Sequence, residues 1–211
     1  MIVVSRLYDN YADASSAVTE LERMGIPHAD ISIVANNSEG WYRDDDSSIT
    51  TSRRIDRDAD GVDDRAEGAG KGAGIGAALG GVAGLLAGLG LLAIPGLGPV
   101  VAAGWLASTA AVAAAGGAAG GLIGALTQAG VDENDANAYA EGVRRGGTLV
   151  TARVPDTDRS RAEMILDRAA VNIRDRATHW QRNGWNRFDP AAPAYTADEI
   201  RRERELYRTR V

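Results

Sequence analysis

The sequence predicts an α+β fold: a ferredoxin-like βαβ…βαβ sandwich split by a long glycine-zipper α-helical hairpin, followed by a C-terminal helical tail. Two observations lead to it. A strand-helix-strand pattern occupies residues 1–35. The same pattern, preceded by an additional helix, occurs again at residues 132–176. Between them, residues 72–131 carry no charged side chain and many glycines. Two βαβ units are the parts of a ferredoxin-like sandwich, so we expect both halves to share one sheet.

The first half, residues 1–35, opens with the apolar run IVVSRL, which predicts a strand at 2–7. Apolar residues at helical spacing over 11–24 predict a helix, and Gly25 is a plausible place for it to stop. The segment ISIVA predicts a second strand at 31–35. The first half is therefore a complete βαβ unit.

The second half, residues 132–176, is predicted to begin with a helix at 132–145 that ends before two glycines. A strand at 148–154, a helix at 158–169 and a short strand at 170–174 follow. Right-handed crossovers would place both crossover helices on one face of a four-stranded antiparallel sheet. The alternative is two independent units, but each is too small to bury a core of its own.

The uncharged segment, residues 72–131, is predicted to be a helical hairpin whose turn is the IPGLGP sequence at 94–99. Glycines at a spacing of four would form a bare stripe on each helix. Glycine costs an isolated helix about 1 kcal/mol relative to alanine, so the stripe makes sense only as a surface for close helix packing. The predicted packing residues are Gly68, Gly72, Gly76, Gly80, Gly84, Gly88, Gly116, Gly120 and Gly124.

Two environments suit such a hairpin. Arms at 72–94 and 100–129 are each long enough to span a bilayer, and the uncharged turn would let both flanks stay on the cytoplasmic side. The arms are also rich in alanine and glycine and thus only marginally hydrophobic. The alternative is a soluble hairpin buried inside a homo-oligomer. We therefore predict a cytoplasmic or inner-membrane-associated protein whose partner is itself, with membrane lipid as a possible second partner.

An acidic linker is predicted at residues 36–71, and part of it matches the pattern of a calcium-binding loop. Carboxylates at alternate positions converge on a hard cation, a glycine allows the sharp turn, and a final glutamate closes the shell. SSITTSRR is a poor entering helix, so a solvated acidic linker remains the alternative. The candidate ligands are Asp56, Asp58, Asp60, Val62 (through its carbonyl), Asp64 and Glu67.

Several function classes are disfavoured by composition. The chain has no cysteine, which excludes disulfides and thiol nucleophiles, and His28 and His179 have no companion ligands in the sequence. A net charge of −6 without a basic, aromatic-interleaved stripe argues against nucleic-acid binding. MIVVSRLYDN lacks the features of a signal peptide. We therefore expect a protein that is not an enzyme, with no cofactor other than a possible calcium ion and no small-molecule substrate.

The tail, residues 177–211, is rich in aromatic residues and ends in a densely charged helix. Thr196 followed by Glu199 forms a capping box, which predicts where that helix begins. A helix with so few apolar residues is usually a solvated face. The alternative is a docking arm for a neighbouring subunit.

Three stretches together resemble a known family: MGIPHADISIVAN, IPGLGP and AGVDENDANAYAEGVRRGGTLVTARV. They are similar to bacterial general stress proteins of the heat-induced stress protein type, whose relatives are often labelled low-temperature-induced proteins. The resemblance implies a stress-associated, non-catalytic protein without an active site to carry over. The predicted function is a general stress protein that self-associates through its glycine zipper at the inner membrane. The alternatives are a soluble structural protein forming homo-oligomers or filaments, and a calcium-responsive binding module.

Overall fold

The computed structural model describes residues 1–42, 90–107, 109 and 121–208, and these form a mixed α/β fold. The strands are β1 (Ile2–Tyr8), β2 (Ile31–Asn36), β3 (Gly90–Ile94), β4 (Gly98–Gly104) and β5 (Thr148–Val154). The helices are α1 (Tyr11–Arg23), α2 (Gly121–Gln128), α3 (Glu133–Arg144), α4 (Arg159–Leu166), α5 (Ile173–Arg182) and α6 (Ala197–Arg208).

The sheet has five strands in the order β1-β5-β2-β4-β3, and every neighbouring pair is antiparallel. Strand β5 lies between β1 and β2, with Val4 opposite Ala152 and Ile33 opposite Val150. The strands predicted at 2–7, 31–35 and 148–154 therefore share one sheet, as expected. The two halves of the chain are not independent units.

Helices cover both faces of this sheet. Residues of α1 and α4, such as Val18 and Leu166, share one buried cluster with Ile33 and Val150. Both crossover helices therefore lie on one face of the sheet, as predicted, but that sheet has five strands instead of the predicted four. The opposite face packs against α2, α3, α5 and the aromatic tail, where Trp180 is only 2% exposed. Because both faces are covered, β2 is buried at every position.

The helix predicted at 11–24 is confirmed as α1, and its ends follow ordinary capping chemistry. Asn10 accepts a hydrogen bond from the backbone N–H of Asp13 at 2.9 Å. At the other end, Gly25 takes a φ of +99°, in the left-handed region that favours glycine. The helices predicted at 132–145 and 158–169 are likewise present as α3 and α4.

The strand predicted at 170–174 is wrong. Only Val171 pairs with β1, through its N–H, which donates to the carbonyl of Leu7 at 2.7 Å. The side chain of Asn172 then accepts hydrogen bonds from the backbone N–H groups of Arg174 and Asp175, and caps α5. The alternation of Val171 and Ile173 is therefore cut short by a strong helix start immediately after the first paired residue.

The helical hairpin predicted over 72–131 is wrong for residues 90–104, which form the β-hairpin β3–β4. The predicted turn exists, but it joins two strands instead of two helices. Strand β2 needs a partner on its second edge because unpaired buried backbone groups are costly. Strand β4 supplies it, with Ile33 opposite Ala103. Gly104 ends β4 at a φ of +85°, where a Cβ would overlap the carbonyl oxygen of Ile31.

The predicted bounds of both membrane-spanning arms, 72–94 and 100–129, are consequently wrong. The last five residues of the 72–94 arm are β3, and the 100–129 arm begins in β4. Helix α2, Gly121–Gln128, lies within the second arm, as predicted for that part. The remainder of both arms, residues 72–89 and 110–120, lies outside the described residues.

Candidate functional site

A cluster of charged side chains is buried where α3 meets β5. Glu141 is fully buried, Arg144 is 8% exposed, and the side chain of Arg145 is 15% exposed. All three lie in the last turn of α3 or directly after it. Gly146 follows with a φ of +98° and reverses the chain toward β5. The turn therefore delivers two guanidinium groups and one carboxylate to the same buried place.

Glu141 holds both arginines through a single oxygen. Its Oε1 accepts hydrogen bonds from Arg144 Nη2 at 2.8 Å and from Arg145 Nε at 2.6 Å. Its Oε2 has no hydrogen-bond partner among the described residues. Two cations thus face one anion, and the excess positive charge calls for a second carboxylate, since a buried unpaired charge is strongly destabilising.

The tail helix α6 supplies that carboxylate. Oε1 of Glu203 accepts hydrogen bonds from Arg145 Nη1 at 3.0 Å and from Trp180 Nε1 at 3.0 Å. The hydroxyl of Tyr207 donates to the same oxygen at 3.3 Å. Burial raises the pKa of Tyr207, so its hydroxyl stays protonated and available as a donor. One tail residue therefore completes the ion network.

Ile200 is the apolar anchor of the tail helix. It is fully buried, and it packs so closely on Gly146 that a methyl group there would overlap its side chain. Arg204, one turn further on, donates from Nη2 to the carbonyl of Gly146 at 2.9 Å and pairs with Glu39. The predicted capping box starts the helix, with the backbone N–H of Thr196 donating to Glu199 Oε2 at 2.8 Å. The tail thus docks on its own chain.

Aromatic rings enclose the two arginines. The guanidinium of Arg145 lies 4.9 Å from the ring centre of Trp180 and 5.3 Å from that of Tyr195. Arg144 lies 5.6 Å from the ring centre of Phe188. Burial alone would lower the pKa of Arg145, but its carboxylate partners outweigh burial and raise that pKa above the ordinary value. Arg145 is therefore held in the charged state, and it clamps the tail through its ion pair with Glu203.

This cluster was missed by the sequence analysis. The apolar residues Ala136, Tyr139, Ala140 and Val143 lie at helical spacing on one face of α3, which predicts a half-buried helix, whereas the structure buries every residue from Ala136 to Arg144. The charged residues buried with this helix must be paired inside the protein. The pairing partner in α6 could not be read from the sequence, because 58 residues separate Arg145 from Glu203.

Truncating the anchor is expected to release the tail. Ile200→Ala removes buried methylene groups and should cost about 2 kcal/mol of docking free energy, which raises the undocked fraction about 30-fold. Limited proteolysis of α6 measures that fraction when cleavage is slow. Leu206→Ala, on the same helix but 51% exposed, is the matched control and should leave the cleavage rate nearly unchanged. Equal cleavage rates in the two variants would contradict this assignment.

The uncharged segment contributes a bare sheet edge to the described structure. Strand β3 pairs with β4 on one side, and no other described strand pairs with it. Its sequence, GLLAI, has no charge or proline, and Leu91 is 44% exposed. An exposed, uncharged edge strand is a template for pairing with another chain.

Of the predicted helix-packing glycines, only Gly124 lies within the described residues. It is on the exposed side of α2, and a Cβ placed there would meet no described atom within 4 Å. The buried side of α2 is formed instead by residues such as Leu122 and Leu126. Within the described part of the chain, no helix therefore packs against Gly124 in the way that was predicted. The other eight glycines lie outside the described residues.

The predicted calcium ligands Asp56, Asp58, Asp60, Val62, Asp64 and Glu67 all lie outside the described residues, as does most of the acidic linker. In the described part, no group of three or more histidine or acidic residues is arranged to hold a metal ion. His28 lies in a short 3-10 turn before β2, and His179 lies on α5 beside the ring of Tyr207. Both histidines are half-buried, and the Nε2 atom of His28 has no hydrogen-bond partner among the described residues.

None of the helices described combines the length and the apolar character needed to cross a bilayer.

Comparison with known proteins yields no match to a family model, a curated protein or a solved structure.

Proposed function

We propose that this chain is a non-enzymatic general stress protein that associates with copies of itself through its uncharged segment, residues 72–131. The observation that carries the proposal is the edge strand β3, Gly90–Ile94, which brings part of that segment to the open side of the sheet. The stress role rests on the sequence resemblance alone. The association role rests on the chemistry of the edge.

The two edges of the sheet differ in a way that supports association at β3. At the β1 edge, Val171 hydrogen-bonds to Leu7 and Arg6 forms an ion pair with Asp167, so backbone and charge both discourage a further strand. At the β3 edge, Leu91 and Ala93 are exposed and neither end of the strand carries a charged residue. A second copy could pair there without repulsion between like charges.

The proposal also covers the fold of each copy and the way in which copies assemble. For the fold, the β1-α1-β2 unit with β5 between its strands supports the ferredoxin-like plan. Because residues 90–104 belong to the sheet, any helical arm before them ends by residue 89. This favours a homo-oligomer or filament with the uncharged segments in its interior over a membrane-spanning hairpin. The membrane-associated form, with both flanks in the cytoplasm, is the alternative.

A charge placed on the exposed edge is expected to break the assembly. Leu91→Lys should shift the oligomer distribution toward the monomer by at least about tenfold in dissociation constant, because paired edges would bring two lysines together. Sedimentation velocity over a concentration series measures this. Met164→Lys, on the exposed side of α4 and 63% exposed, is the matched control. If both variants retain the oligomers of the unmodified protein, β3 is not the association surface.

Carbonate washing separates the two forms of the proposal. A segment embedded in the bilayer stays with the membrane pellet at alkaline pH. A homo-oligomer that is not embedded in the bilayer is released into the wash. Recovery of the protein in the wash, still as oligomers, supports the homo-oligomer. Retention in the pellet supports the membrane-associated alternative.

A further inference from the structure

A polar groove of about 390 Å³ lies between α3, α5 and the loop that follows α5. The residues that line this groove belong neither to strand β3 nor to the ion network of Glu141, Arg144, Arg145 and Glu203. We infer that this groove binds a neutral, polyhydroxylated ligand of the size of a mono- or disaccharide. Three properties of its walls lead to this class: balanced charge, a high density of amides, and an unpaired buried donor and acceptor.

The charges at the groove neutralise one another. Arg187 Nη2 lies 3.0 Å from Glu133 Oε1, and Arg174 Nη2 lies 3.6 Å from Asp135 Oδ2. Two carboxylates and two guanidiniums thus pair among themselves. A charged ligand would gain little net attraction in this groove, whereas a neutral ligand would leave the pairs intact.

Neutral polar side chains line the rest of the groove. They include three exposed amides, and each amide offers both donors and an acceptor. A sugar hydroxyl also donates and accepts, so each hydroxyl of such a ligand can pair with an amide of the wall. Apolar wall residues, Ala138, Ile173 and Ala177, provide contact for the C–H groups of such a ligand. The exposed amides are Asn134, Gln181 and Asn186.

Two buried polar atoms in the same walls have no partner among the described residues. Asn137 is 6% exposed, and its Nδ2 donates to the carbonyl of Glu133 at 2.7 Å while its Oδ1 is unpaired. The indole Nε1 of Trp185 is also buried and unpaired. An unmade buried hydrogen bond is costly, and hydroxyl groups are the chemistry that satisfies a lone acceptor and a lone donor together.

The indole N–H signals of the full-length protein provide a direct test. The chain has four tryptophans, and ¹H–¹⁵N spectra resolve one indole signal for each, with Trp185 assigned from Trp185→Phe. Maltose is the probe, and sodium glutamate and sodium phosphate are the charged comparisons. Trp41 and Trp180 are internal references, because their N–H groups already donate to the carbonyl of Asn36 and to Glu203. We expect maltose to move the Trp185 signal saturably and the references very little.

A matched pair of variants ties that shift to the groove. Gln181→Ala/Asn186→Ala removes two exposed amides from the wall and should weaken maltose binding about tenfold, with the fold retained. Gln128→Ala removes an exposed amide at the end of α2, outside the groove, and should leave the titration unchanged.

The inference is overturned if maltose gives no saturable change at Trp185, or if all indole signals move alike. It is equally overturned if glutamate or phosphate binds more tightly than maltose, or if the two variants titrate identically. None of these outcomes depends on whether the chain self-associates.

Discussion

Replacing Glu141 by glutamine is expected to lower the free energy of unfolding by about 3 kcal/mol, the low end of the cost of removing one partner from a buried ion pair. Glu141 is fully buried, and its Oε1 accepts hydrogen bonds from both Arg144 and Arg145. Glutamine keeps the shape but removes the charge. Arg145 then keeps only its ion pair with Glu203, and Arg144 keeps no ion pair with a described residue. Denaturant unfolding followed by circular dichroism measures the loss.

The control for this change is a glutamate in the same local arrangement on the surface. Glu163 pairs with Arg159 across one helical turn, as Glu141 pairs with Arg145, but the Arg159 side chain is 61% exposed. Glu163→Gln should cost less than about 1 kcal/mol, because solvent screens exposed pairs. Equal losses at the two positions would show that the buried network is not what stabilises the junction of α3, β5 and the tail.

The second large effect is expected from leucines in the predicted glycine stripe. Gly76→Leu/Gly80→Leu/Gly84→Leu should abolish most of the oligomer, although it raises helix propensity and apolar character. Glycines repeated at a spacing of four allow close backbone approach between helices, and three leucines would wedge such helices apart. These positions lie outside the described residues, so the prediction rests on their spacing alone. Light scattering coupled to size-exclusion chromatography measures the change.

Bulk added on the other face of the same predicted helix is the control. Ala78→Leu/Val82→Leu places larger side chains about half a turn away from the stripe and should leave the oligomer size unchanged. Comparison with Leu91→Lys then locates the association surface. If the edge variant dissociates the oligomer and the triple leucine variant does not, the edge strand carries association and the glycine stripe does not.

Much of the fold was predictable because its signals are local. The β-branched and apolar residues of β1 and β5, the helical spacing of Ala14, Val18 and Leu21, and the capping pair Thr196 and Glu199 all lie within a few residues of the structure they specify. The sharing of one sheet by the two halves also followed, since each half is too small to bury a core alone.

The errors came where long-range pairing outweighed a local pattern. Residues 90–104 are rich in glycine and small apolar residues and so read as parts of two helices, but the unpaired edge of β2 stabilises them as strands. The strand predicted at 170–174 was replaced by α5, because the cap at Asn172 begins a helix whose Trp180 fills the core.

The sequence by itself determined the first βαβ unit, the helices and the strand at 132–169 in the second half, the uncharged segment between the two halves, and the start of the tail helix. Only the tertiary structure decided that the tail docks on its own chain, with Ile200 against Gly146 and Glu203 on Arg145. It also decided that β3 forms an open sheet edge. The reason is that a helix cap or an apolar period is encoded within a few residues. The partner of a buried charge or of a strand edge is set by which distant surfaces the folded chain brings together.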